Sequence, residues 1–89
     1  MMQFQGKAVL ITGAGVGIGR AAAVQFAKAG AQVAVNSVTA ANGAETVRLG
    51  RAAGAQGVYI QGDVSRDADA RRMVDETIKA FGRIDVLVN

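Results

Sequence analysis

The stretch Ala8-Val9-Leu10-Ile11-Thr12-Gly13-Ala14-Gly15-Val16-Gly17-Ile18-Gly19 decides the fold. Its first four residues are a continuous apolar run, the pattern of a strand buried on both faces. The glycine-rich turn that follows opens into alanine-rich sequence of helical character. A turn of this kind suits a phosphate group: without β-carbons the backbone comes close, and the N–H groups at a helix start point at the anion. From Gly13, the common glycine pattern G-x-G-x-x-G would put glycine at position 18, where Ile18 stands. The pattern present is G-x-x-x-G-x-G, on Gly13, Gly17 and Gly19. A glycine cluster alone says little; the strand before it and the helix after it give it meaning.

Outward from this turn the periodicity alternates. Val16 to Ala29 reads as helix with Ile18, Ala22, Phe26 and Ala29 on its apolar face, stopped by Gly30. Val33-Ala34-Val35 is a second buried strand ending at Asn36-Ser37. Ala41 to Ala53 reads as helix, with Ala44 and Val47 on one face and Gly43 and Gly50 lowering its propensity. Gly57-Val58-Tyr59-Ile60 is a third strand. Ser65 is the expected N-cap of a third helix, with Asp67 and Asp69 in the first turn, where the helix dipole favours acids. Ala70, Val74, Ile78 and Phe81 form its stripe, Gly82 stops it, and Ile84 to Val88 is a fourth strand.

The order βαβαβαβ, with short connections and no proline, predicts an α/β fold with a parallel sheet. Right-handed crossovers and a reversal after the third strand give spatial order 3-2-1-4, with helices on both faces. The first two helices belong on one face and the third on the other. A ligand crevice is expected between strands one and four, at their carboxyl ends.

Composition narrows the function. The 89 residues suffice for one small domain. Apolar residues make up 51% and charged residues 19%, which excludes disorder. The net charge of +3 is scattered, without a basic stripe or interleaved aromatics, so nucleic acid is not an expected partner. No cysteine or histidine occurs, which removes disulfides, thiolate metal sites and the commonest general base. Met1-Met2-Gln3-Phe4 lacks a leader's apolar core and no segment approaches a membrane span. A cytoplasmic protein that does not enter the membrane is the expectation.

Candidate ligand residues lie at three strand ends: the glycine loop, Asn36-Ser37, and Asp63-Val64. Asn36-Ser37 sits roughly 20 residues beyond the glycines, where an acid would hold a ribose diol. No acid is there, and no arginine follows to pair with a phosphate; Val38 and Thr39 come next. Asp63 suits either an adenine amino group or a turn or helix cap.

Four segments, Phe4-Gln5-Gly6-Lys7, T-G-A-G-V-G-I-G, Gly62-Asp63-Val64 and Ile84-Asp85-Val86-Leu87-Val88-Asn89, resemble in order the N-terminal part of short-chain dehydrogenases/reductases. The neutral Asn36-Ser37 end is most similar to 3-oxoacyl-carrier-protein reductases and their NADP-using relatives. The resemblance spans the whole chain and implies that residues 1–89 are the NAD(P)-binding half of a Rossmann domain, a fragment without its catalytic part. It implies that Gly13, Gly17 and Gly19 shape a pyrophosphate turn, with Gly15 and Val16 beside the adenosine ribose and Ile18 near the nicotinamide. By the same comparison Asp63 and Val64 border the adenine, and Asn89 matches the first asparagine of the family's N-N-A-G motif. Many NADP-using members carry arginine where Val16 stands, and many NAD-using members aspartate where Ser37 stands. Having neither, the chain leans toward NADP and leaves NAD open.

The family's catalytic asparagine, serine, tyrosine and lysine find no match in this sequence. Tyr59, the single tyrosine, has no lysine four residues later and reads as packing. Three functions are weighed: part of an NAD(P)-dependent oxidoreductase acting on a carbonyl or alcohol, a regulatory dinucleotide-binding module, and an interaction protein whose glycines only turn the chain. Four motifs in register speak against the third, and the absence of G-K-[ST] excludes a kinase-type P-loop. The resemblance further implies a small-molecule substrate and a homo-oligomer, dimer or tetramer, for the full-length protein. Because Ile84 to Val88 reads as an interior strand, these 89 residues alone are expected to be marginally folded or self-associated. A monomer with a cooperative melt in sedimentation and thermal denaturation would refute that.

Overall fold

A computed structural model describes residues 3–89. Met1 and Met2, part of the N-terminal stretch considered for a leader, lie outside the described residues. The elements alternate as predicted: β1 (Ala8–Ile11), α1 (Gly17–Lys28), β2 (Gln32–Ser37), α2 (Ala40–Ala52), β3 (Gly57–Gln61), α3 (Asp67–Phe81) and β4 (Val86–Val88). All pairings are parallel and the sheet order is β3-β2-β1-β4, as the sequence implied.

β1 lies between two partners, Ile11 pairing with Val35 of β2 and Val88 of β4. Its side chains alternate between two cores, because successive strand residues face opposite ways. Val9 and Ile11 join Val33 and Val35 beneath Ala23 and Ala27 of α1 and Val47 of α2. Leu10, with Ala34 and Ile60, faces Met73 of α3. Hence α1 and α2 cover one face and α3 the other.

The buried lines of the helices differ from the stripes expected. On α1 the residues against the sheet are Ala23 and Ala27, while Ile18 is 91% exposed and Ala22 and Phe26 lie at the margin of the core. Small residues four apart let the helix axis approach the strands, which a line of large side chains would prevent. Phe26 instead meets Phe4 edge to face, ring centres 5.0 Å apart. On α2 the buried residues are Gly43, Thr46 and Val47, and Ala44 is exposed. On α3 they are Met73 and Thr77; Val74 and Phe81 pack beside them and Ile78 is exposed. The Thr77 hydroxyl donates to the Met73 carbonyl at 2.8 Å, so a polar residue sits in the buried line at no hydrogen-bonding cost.

Two boundaries are also corrected. Ser65 does not cap α3. Arg66 holds the cap position without a side-chain bond, while the Ser65 N–H and hydroxyl both donate to the Asp63 carboxylate (3.0 and 2.6 Å). β4 begins at Val86 rather than Ile84, because Asp85 makes the first rung with its side chain. Its carboxylate accepts the Ala8 N–H at 2.9 Å, and its own N–H donates to the Ala8 carbonyl at 2.8 Å. The Gly30 and Gly82 stops are both present, with φ of +95° and +80°.

Gly43 sets two effects against each other. Alanine there would improve helix propensity by about 1 kcal/mol. A β-carbon would overlap the ring of Tyr59, which fills the space above Gly43. Overpacking of this kind costs about 1–3 kcal/mol, so Gly43→Ala is expected to lower Tm; a raised Tm in thermal denaturation would show that the ring moves freely.

Asp85 gives acid sensitivity. The hydrogen bond from Arg83, then that from the Ala8 N–H, hold its carboxyl below the usual carboxylate range. A depressed folded pKa stabilises above the unfolded value of 3.8, and that stabilisation is lost as pH falls through the folded value. Asp85→Asn is expected to flatten the acid limb of a Tm-against-pH curve; an unchanged limb would assign it to other carboxylates.

Candidate cofactor site

The loop between β1 and α1 owes its shape to missing side chains. Gly13 and Gly17 both have φ of +61°, a region L-residues rarely adopt. A β-carbon on Gly19 would lie 2.5 Å from the Gly13 carbonyl, so only glycine lets α1 start this close to the loop. One on Gly15 would lie 2.6 Å from the Ser37 hydroxyl and 3.0 Å from Asn42 Cβ. At the start of α1, Val16 holds the cap position with no side-chain bond, and the first turn contains no acid. The positive end of the helix is thus left without a side-chain partner, which is the arrangement that binds phosphates.

Neighbouring segments fix the loop on several sides. The Thr12 N–H donates to the Val88 carbonyl at 2.9 Å and its hydroxyl to Asn89 Oδ1 at 2.8 Å. The Ala14 N–H donates to the Asn36 carbonyl at 2.8 Å and the Gly13 N–H to Asn36 Oδ1 at 3.2 Å. From α2, the fully buried Thr46 donates its hydroxyl to the Ala14 carbonyl at 2.8 Å and accepts Arg20 Nε at 3.0 Å.

A cleft of about 260 Å³ opens between this loop, the end of β2 and the turn after β3, on the β2 side of the loop rather than between strands one and four, where the sequence predicts it. The structure brings together on its walls Gly13, Gly15 and Val16 from the loop, Asn36 and Ser37 from β2, and Asp63 and Val64 beyond β3. Gly17, Ile18 and Gly19 are not on these walls but form the first turn of α1. Asn89 stands past β4 against Thr12. Val38, Thr39, Asn42 and Gly62 also line the cleft and were missed from sequence. Extending the strand-end rule past Ser37 into the start of α2 would have found the first three. Val16, Val38 and Val64 are all exposed here, giving the cleft apolar walls suited to a flat ring.

Several polar groups are already committed. The Ser37 hydroxyl bonds the N–H and carbonyl of Thr39, both at 3.1 Å, in a tight turn. The Tyr59 hydroxyl donates to the Ser37 carbonyl at 2.7 Å, which agrees with the packing role read from sequence. Asp63 serves as a turn residue: its carboxylate accepts from Ser65, which holds its pKa below the usual carboxylate range, and its N–H donates to Asp69 at 2.9 Å. Among the described residues no cluster of potential metal ligands occurs, and no helix is long and apolar enough to cross a membrane.

A parallel sheet of order β3-β2-β1-β4 with an uncapped, glycine-framed helix start defines the N-terminal half of a Rossmann fold. The family model described as short chain dehydrogenase matches residues 7–89, and the chain belongs to that family. An uncharacterized oxidoreductase of Thermotoga maritima is 52% identical over 88 residues, covering 99% of this chain and 34% of that protein. The short-chain dehydrogenase/reductase homolog YusS of Bacillus subtilis is 43% identical, covering 99% of this chain and 82% of that protein. Among solved structures, a 7α-hydroxysteroid dehydrogenase complexed with NADH and 7-oxo glycochenodeoxycholic acid superposes with a TM-score of 0.95 at 34% identity. That superposition covers 99% of this chain and 34% of that one. The chain therefore spans about a third of the length of the Thermotoga relative and of this dehydrogenase.

Removing the Thr46 hydroxyl would leave the buried Ala14 carbonyl and Arg20 Nε short of a partner, a loss of about 1–3 kcal/mol. Thr46→Val is expected to lower Tm accordingly, and Thr46→Ser to keep most of the native value. Equal melting of the two variants would place the effect in packing rather than in the hydroxyl.

Proposed function

We propose that this chain is the cofactor-binding part of an NAD(P)-dependent oxidoreductase that moves hydride between a nicotinamide cofactor and a carbonyl or alcohol substrate. The observation that carries this reading is the uncapped start of α1, framed by Gly13, Gly17 and Gly19, at the head of a cleft with apolar walls. When bound, the nicotinamide cofactor supplies the hydride chemistry. The chain's own residues bind and orient it. The first turn of α1 receives the pyrophosphate on its N–H groups, with Ile18 directed to the nicotinamide side. Gly15, Val16 and the Asn36-Ser37 end of β2 surround the adenosine ribose, and Asp63 and Val64 border the adenine. Asn89 closes the loop from β4 through Thr12.

NADP is the preferred cofactor in this proposal. No carboxylate stands on the β2 side of the cleft, so nothing there repels a 2′-phosphate; Asp63, on the opposite wall, is the sole carboxylate among the lining residues described. NAD remains the alternative, and the hydroxysteroid dehydrogenase with NADH is a relative that takes it. The full-length protein is proposed to be a cytoplasmic homo-oligomer acting on a small molecule.

A second reading, a dinucleotide-binding module without turnover, shares the same cofactor claim. Titration with NADPH and NADH, followed by cofactor fluorescence, tests the shared claim. Saturable binding, tighter for NADPH, is expected. Equal affinities would remove the NADP preference, and no binding by a folded sample would remove the cofactor reading. Turnover with a carbonyl substrate by the full-length protein separates the first reading from the second.

A further inference from the structure

Asn36 is the penultimate residue of β2, on the face shared with Ala34, and is 2% exposed. Its side-chain amide ties two separate segments to β2 through three bonds. Oδ1 accepts the Gly13 N–H at 3.2 Å, while Nδ2 donates to the Ile60 carbonyl at 3.1 Å and the Gly62 carbonyl at 3.0 Å. One donor faces the oxygen and two carbonyls face the nitrogen, so the orientation of the amide is fixed by its partners. Among the described residues no other side chain bonds both the glycine loop and the segment leaving β3.

From this geometry we infer that Asn36 is a positioning residue: its buried amide sets the separation between the glycine loop and the Gly62–Val64 rim. The inference rests on the cofactor reading proposed above and gives Asn36 a different part in it from contact with the ribose. All three of its polar bonds are internal, leaving the amide no donor hydrogen for a ligand. The residue type is demanding. A carboxylate of the same shape would face two carbonyl oxygens without a hydrogen to give them. An apolar side chain would leave the buried Gly62 carbonyl without this partner, where such losses are large, and would release the half-buried Gly13 N–H. Gly13 sits at φ +61°, and this anchor holds it beside the β3 turn.

A ligand that touches both walls must feel their spacing, whereas one that touches only the adenine rim need not. Adenine and ADP are the probes, each titrated into the full chain while amide spectra are recorded. Asn36→Ala and Asn36→Leu are expected to weaken ADP by about tenfold or more and adenine by less than about threefold. Folded variants that keep native ADP affinity, or that lose ADP and adenine equally, would overturn the inference. Should neither variant fold, amide hydrogen exchange in the native chain decides it. A protected Gly13 N–H is expected in the absence of ligand, and exchange at the free-chain rate would overturn it. If the native chain binds neither probe while Gly13 is protected, the cofactor reading fails and the anchor is structural only; binding with unprotected Gly13 fails the positioning claim alone.

Discussion

The parallel pairing of β1 on both its edges is the constraint on which the rest depends. A strand with neighbours on both sides and helices on both faces has no exposed surface, and its four residues are all buried. Its end is therefore fixed, and the glycine loop inherits that position. From Ile11 the backbone runs directly into Thr12, which is tied to β4 by its N–H and hydroxyl. One residue later the chain is tied to β2 through Asn36. The two strands that flank β1 thus also grip the loop that leaves it.

This arrangement explains why the cleft depends little on charged side chains. Four arginines of the chain are engaged elsewhere: Arg48 with Glu45 and Arg72 with Glu76 along their helices, Arg83 with Asp85, and Arg20 with Thr46 beneath the loop. The exposed pairs contribute little to stability, since solvent screens them. What the cleft offers an anion is the helix end, whose partial charge is set by backbone alignment.

Where the sequence was legible, a strong period or a steric necessity stood behind it. The four strands, the three helices, the sheet order and the faces assigned to the helices all follow from runs such as Ala8–Ile11 and from stops such as Gly30 and Gly82. Which residues of each helix are buried was less legible. Ala23, Ala27 and Gly43 carry little hydrophobicity, so a pattern built on large residues selected Ile18 and Ile78 instead. Their importance lies in closeness, which appears only when the opposing surface is known. The same applies to the site. Glycines and strand ends pointed to the candidate cleft, but the hydrogen bonds of Asn36 and Thr46 join segments 23 and 32 residues apart, and no local pattern announces them.

The collision of a would-be Gly19 β-carbon with the Gly13 carbonyl has an evolutionary consequence. Recognition that works through backbone N–H groups leaves neighbouring side chains free to drift, because Val16 and Ile18 project outward and bear no part of the loop's own bonding. Gly19 cannot drift at all without moving the helix. Variation across such a loop is thus filtered by the volume left empty rather than by the groups displayed, and lineages can exchange the displayed residues, retuning what docks there, while the frame beneath stays the same.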